Sequence, residues 1–193
     1  MTTGGPDGLG PRARGLRHPV RWVALGVLVV AAGLVAVLAT RPPAGVAEVQ
    51  SPLVGRSAPV LSGTTLAGSR FVLPRRPGRY VVVNFFASWC SNCQQEGPEL
   101  VRFAFEHRSG DAQLVGVVFD DTDGAARAYQ AQLGATWPTL SDPGGAVALR
   151  YGVRAPPSTF LIAPDGRLVA YIVAPVTAAD LDRLIAEARA SRP

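Results

Sequence analysis

The sequence predicts an α/β domain, a mixed β-sheet flanked by helices, preceded by one membrane-spanning helix. Three observations carry this. From Arg56 onward, strand-like and helix-like stretches take turns, the pattern of a sheet covered by helices. Arg79–Ala87 (RYVVVNFFA) is apolar, β-branched and aromatic without alternation, as a central strand buried on both faces should be. Trp22–Thr40 runs nineteen residues without a charge.

As a helix, Trp22–Thr40 spans about 28 Å at 1.5 Å per residue, close to the ~30 Å hydrocarbon core of a bilayer. Trp22 sits at interfacial depth, and Arg12, Arg14, Arg17 and Arg21 precede the run while only Arg41 closely follows it. The positive-inside rule makes residues 1–21 a cytoplasmic basic tail and residues 22–40 a single-pass anchor in the cytoplasmic membrane. The rest of the chain then lies on the extracytoplasmic side. Val37-Leu38-Ala39 offers a rival, a signal-peptide cleavage site, but the apolar run exceeds the roughly 7–15 residues of a signal's hydrophobic segment. Residues 41–55, rich in Pro, Gly and small side chains, read as a linker, and residues 56–193 as the folded domain.

Within that domain, Val60–Ser62 and Ser69–Leu73 form an N-terminal β-hairpin extension about the Gly68 turn. Arg79–Ala87 is the central strand, Ser91–Arg108 a helix, Gln113–Phe119 a second buried strand, and Gly124–Leu133 and Pro143–Tyr151 further helices. Thr159–Ile162 and Leu168–Val173 are strands joined by the turn Pro164-Asp165-Gly166. Thr177–Ala190 closes the chain as an amphipathic helix, with Thr177 as N-cap and Asp180 three residues on as a variant capping box. There are no internal repeats.

The net charge of +5 belongs mainly to the N-terminus, where residues 1–40 carry four arginines against Asp7 alone. The remaining 153 residues carry 15 arginines against 13 acids, with no lysine, which gives little support for nucleic-acid binding, and none is expected. The chain has two cysteines, Cys90 and Cys93. As a staple, a bridge closing so short a loop stabilises by only about 2 kcal/mol, against about 4.7 for a 100-residue loop. As half of a zinc site, the pair lacks its other ligands: the two histidines are His18, upstream of the anchor, and His107, with no spaced partner. As a redox pair it is well placed. A Cys-x-x-Cys directly after a buried strand puts the first sulfur at a helix N-terminus, where unpaired N–H groups and the helix dipole favour the thiolate. The second sulfur, one turn later, can attack a mixed disulfide.

The segment FFASWCSNCQQEGPEL resembles the active site of thioredoxin-fold proteins, and within that superfamily the membrane-anchored TlpA-like, ResA-like and CcmG-like thiol-disulfide oxidoreductases. GRSAP (Gly55–Pro59) is similar to the G-x-x-A-P that opens these domains, and Trp137–Val169 to their second block. A peroxiredoxin shares the opening, but Val83 and Ala87 stand where its Pro-x-x-x-Thr pattern needs proline and threonine. The resemblance implies a thioredoxin-like fold, Cys90 as nucleophile, Cys93 as resolving thiol and a redox-active Cys90–Cys93 disulfide, with no cofactor and no metal. It aligns Glu96 with a glutamate that manages the proton of Cys93, against the alternative of a solvated helix carboxylate. Asn84 falls where thioredoxins have a buried aspartate; an amide cannot titrate, so it is expected to hydrogen-bond within the sheet. Pro157 matches the family's cis-proline. Pro156, the residue before it, has no N–H and so departs from the backbone that usually pairs with a substrate peptide. Trp89 is expected either to cover the disulfide or to be an ordinary half-buried aromatic. Asp120, Asp121 and Asp123 read as a solvated run with helix-cap chemistry, and His107 as a helix-end surface residue.

The expected function is therefore an anchored, monomeric thiol-disulfide oxidoreductase that reduces disulfides in exported proteins, with apocytochrome c as substrate. A membrane electron-donor protein would reduce it again. The alternatives are a disulfide-donating oxidase and a non-catalytic binding module on the same scaffold.

Overall fold

The computed structural model describes residues 18–39, 50–75 and 77–191. The chain divides into two compact units, Met1–Ala44 and Gly45–Pro193. The first contains helix α1 (His18–Ala39), with residues 22–36 exposed along its length. Among the described residues no helix is long and apolar enough to cross a membrane. Most of the basic tail (residues 1–17) and residues 40–49 of the anchor end and linker lie outside the described residues.

The second unit holds two sheets. β1 (Ser62–Thr64) and β2 (Arg70–Val72) make an antiparallel hairpin. The main sheet has the order β5-β4-β3-β6-β7, comprising β3 (Tyr80–Phe86), β4 (Ala112–Val118), β5 (Thr139–Leu140), β6 (Ser158–Ile162) and β7 (Leu168–Ile172). β3, β4 and β5 run parallel, β6 runs antiparallel to β3, and β7 runs antiparallel to β6 and so in the same direction as β3. All seven residues of β3 are buried, as the unbroken apolar run requires of a central strand.

Successive β3 side chains face opposite layers. Tyr80 and Val82 join a core with Leu100 and Phe103 of α2 (Ser91–Glu106) and with Leu181, Leu184 and Ile185 of α5 (Ala178–Ala190). Val81, Val83 and Phe85 join a second core with Val147, Ala148 and Tyr151 of α4 (Ala146–Tyr151) and Leu61 beside the hairpin. Phe85, Tyr151 and Phe160 pack edge-on or tilted at 5.1–5.7 Å between ring centroids. Truncating a fully buried ring such as Phe103 would cost about 3–5 kcal/mol.

Several boundaries differ from the sequence reading for identifiable reasons. The hairpin strand lies two residues later than Val60–Ser62, with Ser62 paired to Val72. α4 starts at Ala146 instead of Pro143, because Gly144 and Gly145 turn with positive φ (85° and 69°) and the Asp142 carboxylate accepts from Val147 N and Ala148 N. β5 has only two residues and no apolar pattern long enough to read. Leu53 already packs on the core, and Gly55 N donates to Leu168 O (2.8 Å), so domain contacts begin inside the stretch read as linker. α5 has the expected capping box: Thr177 Oγ1 accepts from Asp180 N, and Asp180 Oδ2 accepts from Thr177 N.

Candidate active site

Cys90 stands between the carboxyl end of β3 and the start of α2, in extended backbone (φ −81°, ψ 110°). It is the N-cap of α2 in place of the usual Ser, Thr, Asp or Asn. Its Sγ accepts from Cys93 N at 3.1 Å, so a backbone donor of the first turn points at this sulfur, an arrangement that favours negative charge there. The two cysteines are disulfide-bonded, with Cα atoms 5.2 Å apart. Both cysteines are buried, Cys90 at 6% exposure and Cys93 at 1%, so Cys90 is the outer of the two. Around them lies an apolar cluster of Leu66, Phe86, Ala87, Val118 and Ala126, with Tyr129 packed against it.

Glu96 follows Cys93 by one turn on the same face of α2 and is 2% exposed. Its Oε1 accepts from Asn84 Nδ2 (2.8 Å) and its Oε2 from Val176 N (3.1 Å). Burial pushes the Glu96 carboxyl up to about 7, against the lowering influence of those two donors. It is thus a buried acid able to take or give a proton near neutral pH, and not a solvated helix carboxylate. Asn84 does bond within the sheet, through Nδ2 to Thr159 Oγ1 at 3.0 Å on its β6 partner. Its other amide hydrogen goes to Glu96, a link the sequence reading did not contain.

The Pro156–Pro157 bond is cis, with Pro157 buried and Pro156 half-buried. Trp89 is 57% exposed, and its Nε1 donates to Asp120 O at 3.0 Å. The indole is therefore tethered at the surface, outside the apolar cluster around the sulfurs. Asp120 adopts a left-handed φ of 46°, which directs this loop against the strand-to-helix turn. Asp121 is not merely solvated: Oδ2 accepts from Ser88 N and Oδ1 from Thr122 N, both at 2.7 Å. Thr122 caps α3 (Asp123–Leu133), and Asp123 lies in its first turn. His107 is the C-cap of α2, as its helix-end position suggested, but it is bonded on both ring nitrogens, to Asp111 and Asp182.

Thr159, Asp121, Tyr129 and the Val176 N–H were absent from the sequence reading as site components. Asp121 had a signal, its place in an acidic run after a buried strand. The others had none, since a backbone donor and two hydroxyls acquire these roles only through tertiary contact. Among the described residues, no group of three or more His, Cys, Asp or Glu side chains could hold a metal ion.

A protein-family model described as AhpC/TSA family matches residues 54–171. The thiol-disulfide oxidoreductase ResA of Bacillus thuringiensis is 30% identical over 129 residues, 67% of this chain and 75% of that protein. A thiol:disulfide interchange protein DsbE homologue of Paracoccus denitrificans is 37% identical over 123 residues, 62% of this chain and 65% of that one. The crystal structure of a thiol:disulfide interchange protein of the thioredoxin family from Chlorobium tepidum superposes with a TM-score of 0.62 at 27% identity, covering 72% of this chain and 99% of the other. The family match spans the central strand, the cysteine helix and the cis-proline strand together, so the chain belongs to the AhpC/TSA family, and with these relatives it is a thioredoxin-fold thiol-disulfide oxidoreductase of the ResA and DsbE type.

Proposed function

We propose that this protein is a disulfide reductase anchored in the cytoplasmic membrane by residues 22–40, with its N-terminus inside and its catalytic domain on the extracytoplasmic side. Its substrates are disulfides of exported proteins, with the paired haem-binding cysteines of apocytochrome c as the leading case. The observation that carries the reading is Cys90 at a helix N-terminus, disulfide-bonded to the more deeply buried Cys93, with the buried Glu96 carboxyl one turn on, pushed up to about 7 by burial. The uncharged run Trp22–Thr40 with arginines ahead of it supports the anchor.

In this reading the reduced Cys90 thiolate attacks one sulfur of the substrate disulfide. A Cys90–substrate bond forms, the substrate S–S bond breaks and one substrate thiolate leaves. Cys93 then gives its proton to Glu96 and attacks Cys90 Sγ. The Cys90–Cys93 disulfide forms and the second substrate thiolate is released. Two electrons pass from the enzyme dithiol to the substrate. A membrane dithiol donor restores the enzyme, and anchoring raises the effective concentration of that donor.

The test is the reduction potential of the Cys90–Cys93 pair. A value near thioredoxin's ~ −270 mV supports the reductase, whereas one near ~ −120 mV would assign the opposite direction, disulfide donation. Full function of a Cys90→Ser, Cys93→Ser double variant in vivo would overturn both in favour of a binding module.

A further inference from the structure

Cys93, the resolving thiol, is held by a neighbour that belongs neither to its own helix nor to the central strand. Tyr129, in the middle of α3, donates its hydroxyl to Cys93 O at 2.8 Å. In an α-helix that carbonyl also receives the N–H four residues on, here that of Gly97. The carbonyl thus has two donors, one from its own helix and one from α3. The same residue's N–H donates to Cys90 Sγ at 3.1 Å. Whatever fixes the backbone of residue 93 therefore fixes the relation between the two sulfurs.

Gly97 makes this approach sterically feasible. A Cβ there would lie 2.7 Å from the Tyr129 hydroxyl and 2.9 Å from Leu133 Cδ1, closer than real Cβ atoms come. Glycine inside a helix is unfavourable relative to alanine, so the missing side chain is a structural cost accepted where α3 must reach the carbonyl. The Tyr129 ring packs on Phe86, with ring centroids 5.7 Å apart, and this aims the hydroxyl. Burial, and next the charge of Glu96, push the phenol up to about 12, so the hydroxyl stays a donor at any working pH.

We infer that Tyr129 is a positioning residue for the second half of the exchange, holding the Cys93 backbone so that its sulfur attacks the Cys90 mixed disulfide, with Gly97 as the notch that admits the hydroxyl. The inference rests on the order of attack proposed above, Cys90 first. It separates the two steps. Attack by Cys90 depends on its own sulfur and on the first-turn N–H groups aimed at it, and the Tyr129 hydroxyl bonds to neither, only to the Cys93 carbonyl. Resolution depends on how closely Cys93 is kept to Cys90.

The test uses the full chain, reduced with dithiothreitol, freed of it and mixed with glutathione disulfide. Cys90 thiolate attacks glutathione disulfide, forming the Cys90–glutathione bond and releasing one glutathione thiolate. Cys93 then loses its proton and attacks Cys90 Sγ, releasing the second glutathione and leaving the Cys90–Cys93 disulfide. Acid quenching and mass spectrometry give the lifetime of the Cys90–glutathione adduct, and iodoacetamide gives the reactivity of Cys90. Tyr129→Phe keeps the ring against Phe86 and removes only the hydroxyl. It should lengthen the adduct's lifetime about fivefold, the scale of one ordinary hydrogen bond, with little change in alkylation rate. Gly97→Ala should do the same by displacing the hydroxyl, which guards against an effect peculiar to one variant. An unchanged lifetime in Tyr129→Phe, or both steps slowing in parallel with a fall in Tm, would overturn the inference. Glutathione found on Cys93 instead of Cys90 would overturn the proposed order of attack, and this assignment with it.

Discussion

Asn84 Nδ2 lies 2.8 Å from Glu96 Oε1 and 3.0 Å from Thr159 Oγ1, so both amide hydrogens of one buried asparagine are committed. One joins the central strand to the helix that carries the cysteines, and the other joins it to the strand that follows the cis-proline. The amide cannot itself titrate, but it biases the group that does.

Asn84→Ala removes that donor and leaves Glu96 and the Thr159 hydroxyl each short of a partner in a buried site. A loss of about 2 kcal/mol is expected, measured by urea unfolding of the oxidised protein. Because the Asn84 bond lowers the Glu96 pKa, the carboxyl should titrate higher in the variant than its wild-type value of about 7. A carbon-13 NMR titration of the glutamate side chains that finds Glu96 unmoved or lower would refute this coupling.

Glu96→Gln should flatten a slope in the stability curve. The folded-state pKa is raised from 4.5 to about 7, so between those values the folded protein binds more protons than the unfolded one. Wild-type stability from this group therefore falls as pH rises through that window, by about 3 kcal/mol at 1.36 kcal/mol per unit. The difference between wild type and variant across pH 4.5 to 7 isolates the effect from other titrating groups, and a constant difference would exclude it. The thiol titration of the reduced variant should also move, and curves superimposable on wild type would remove Glu96 from proton handling.

Asp121→Ala should loosen the turn before Cys90. Burial raises this carboxyl's pKa, but bonds from the Ser88 side chain, Ser88 N and Thr122 N outweigh it and the net shift is downward. Its contribution is present above the ordinary aspartate range and lost as pH falls through the lowered folded value. Losing charge-assisted bonds to two backbone donors is expected to cost about 1.5–3 kcal/mol at neutral pH, with Asp121→Asn intermediate. Equal stability of Asp121→Ala and wild type in chemical denaturation would show that the loop is held without it.

His107→Gln reports on the far end of α2. Burial pulls the imidazole pKa down, but hydrogen bonds and charges from Asp111 and Asp182 prevail and the net shift is upward. The added stability is complete below the unfolded pKa near 6.5 and is lost as pH rises through the higher folded value. A cation at a helix C-terminus with carboxylate partners is expected to contribute about 1 kcal/mol. Melting curves at pH 5.5 and 9 should show a variant deficit only at the lower pH, and an equal deficit at both would contradict this.

Pro156→Ala restores an N–H immediately before the cis-proline. If that backbone meets a substrate peptide, turnover of a disulfide-containing peptide should rise in the variant, with KM falling more than kcat changes. Identical kinetics would mean that the missing donor does not limit docking.

The redox pair was the most legible feature in the sequence. Its recognition needed only local facts: an apolar β-branched run, then Cys-x-x-Cys, then a helix-forming stretch. The α5 capping box was equally local, three residues from Thr177 to Asp180. β5 was not legible, because a two-residue strand is defined by its pairing with β4 and not by any pattern of its own.

By itself the sequence determined that two sulfurs stand three residues apart at the start of a helix, since helix polarity and that spacing follow from the chain alone. Only the tertiary structure decided what surrounds them. Asn84 meets Thr159 at a separation of 75 residues through strand register, Glu96 meets the Val176 N–H across 80, and Tyr129 reaches Cys93 across 36. The physical reason is that a backbone N–H or a hydroxyl carries no sequence mark of its partner. Its role is set by sheet order and helix packing, which bring distant groups within 3.1 Å of the residues the motif had already named.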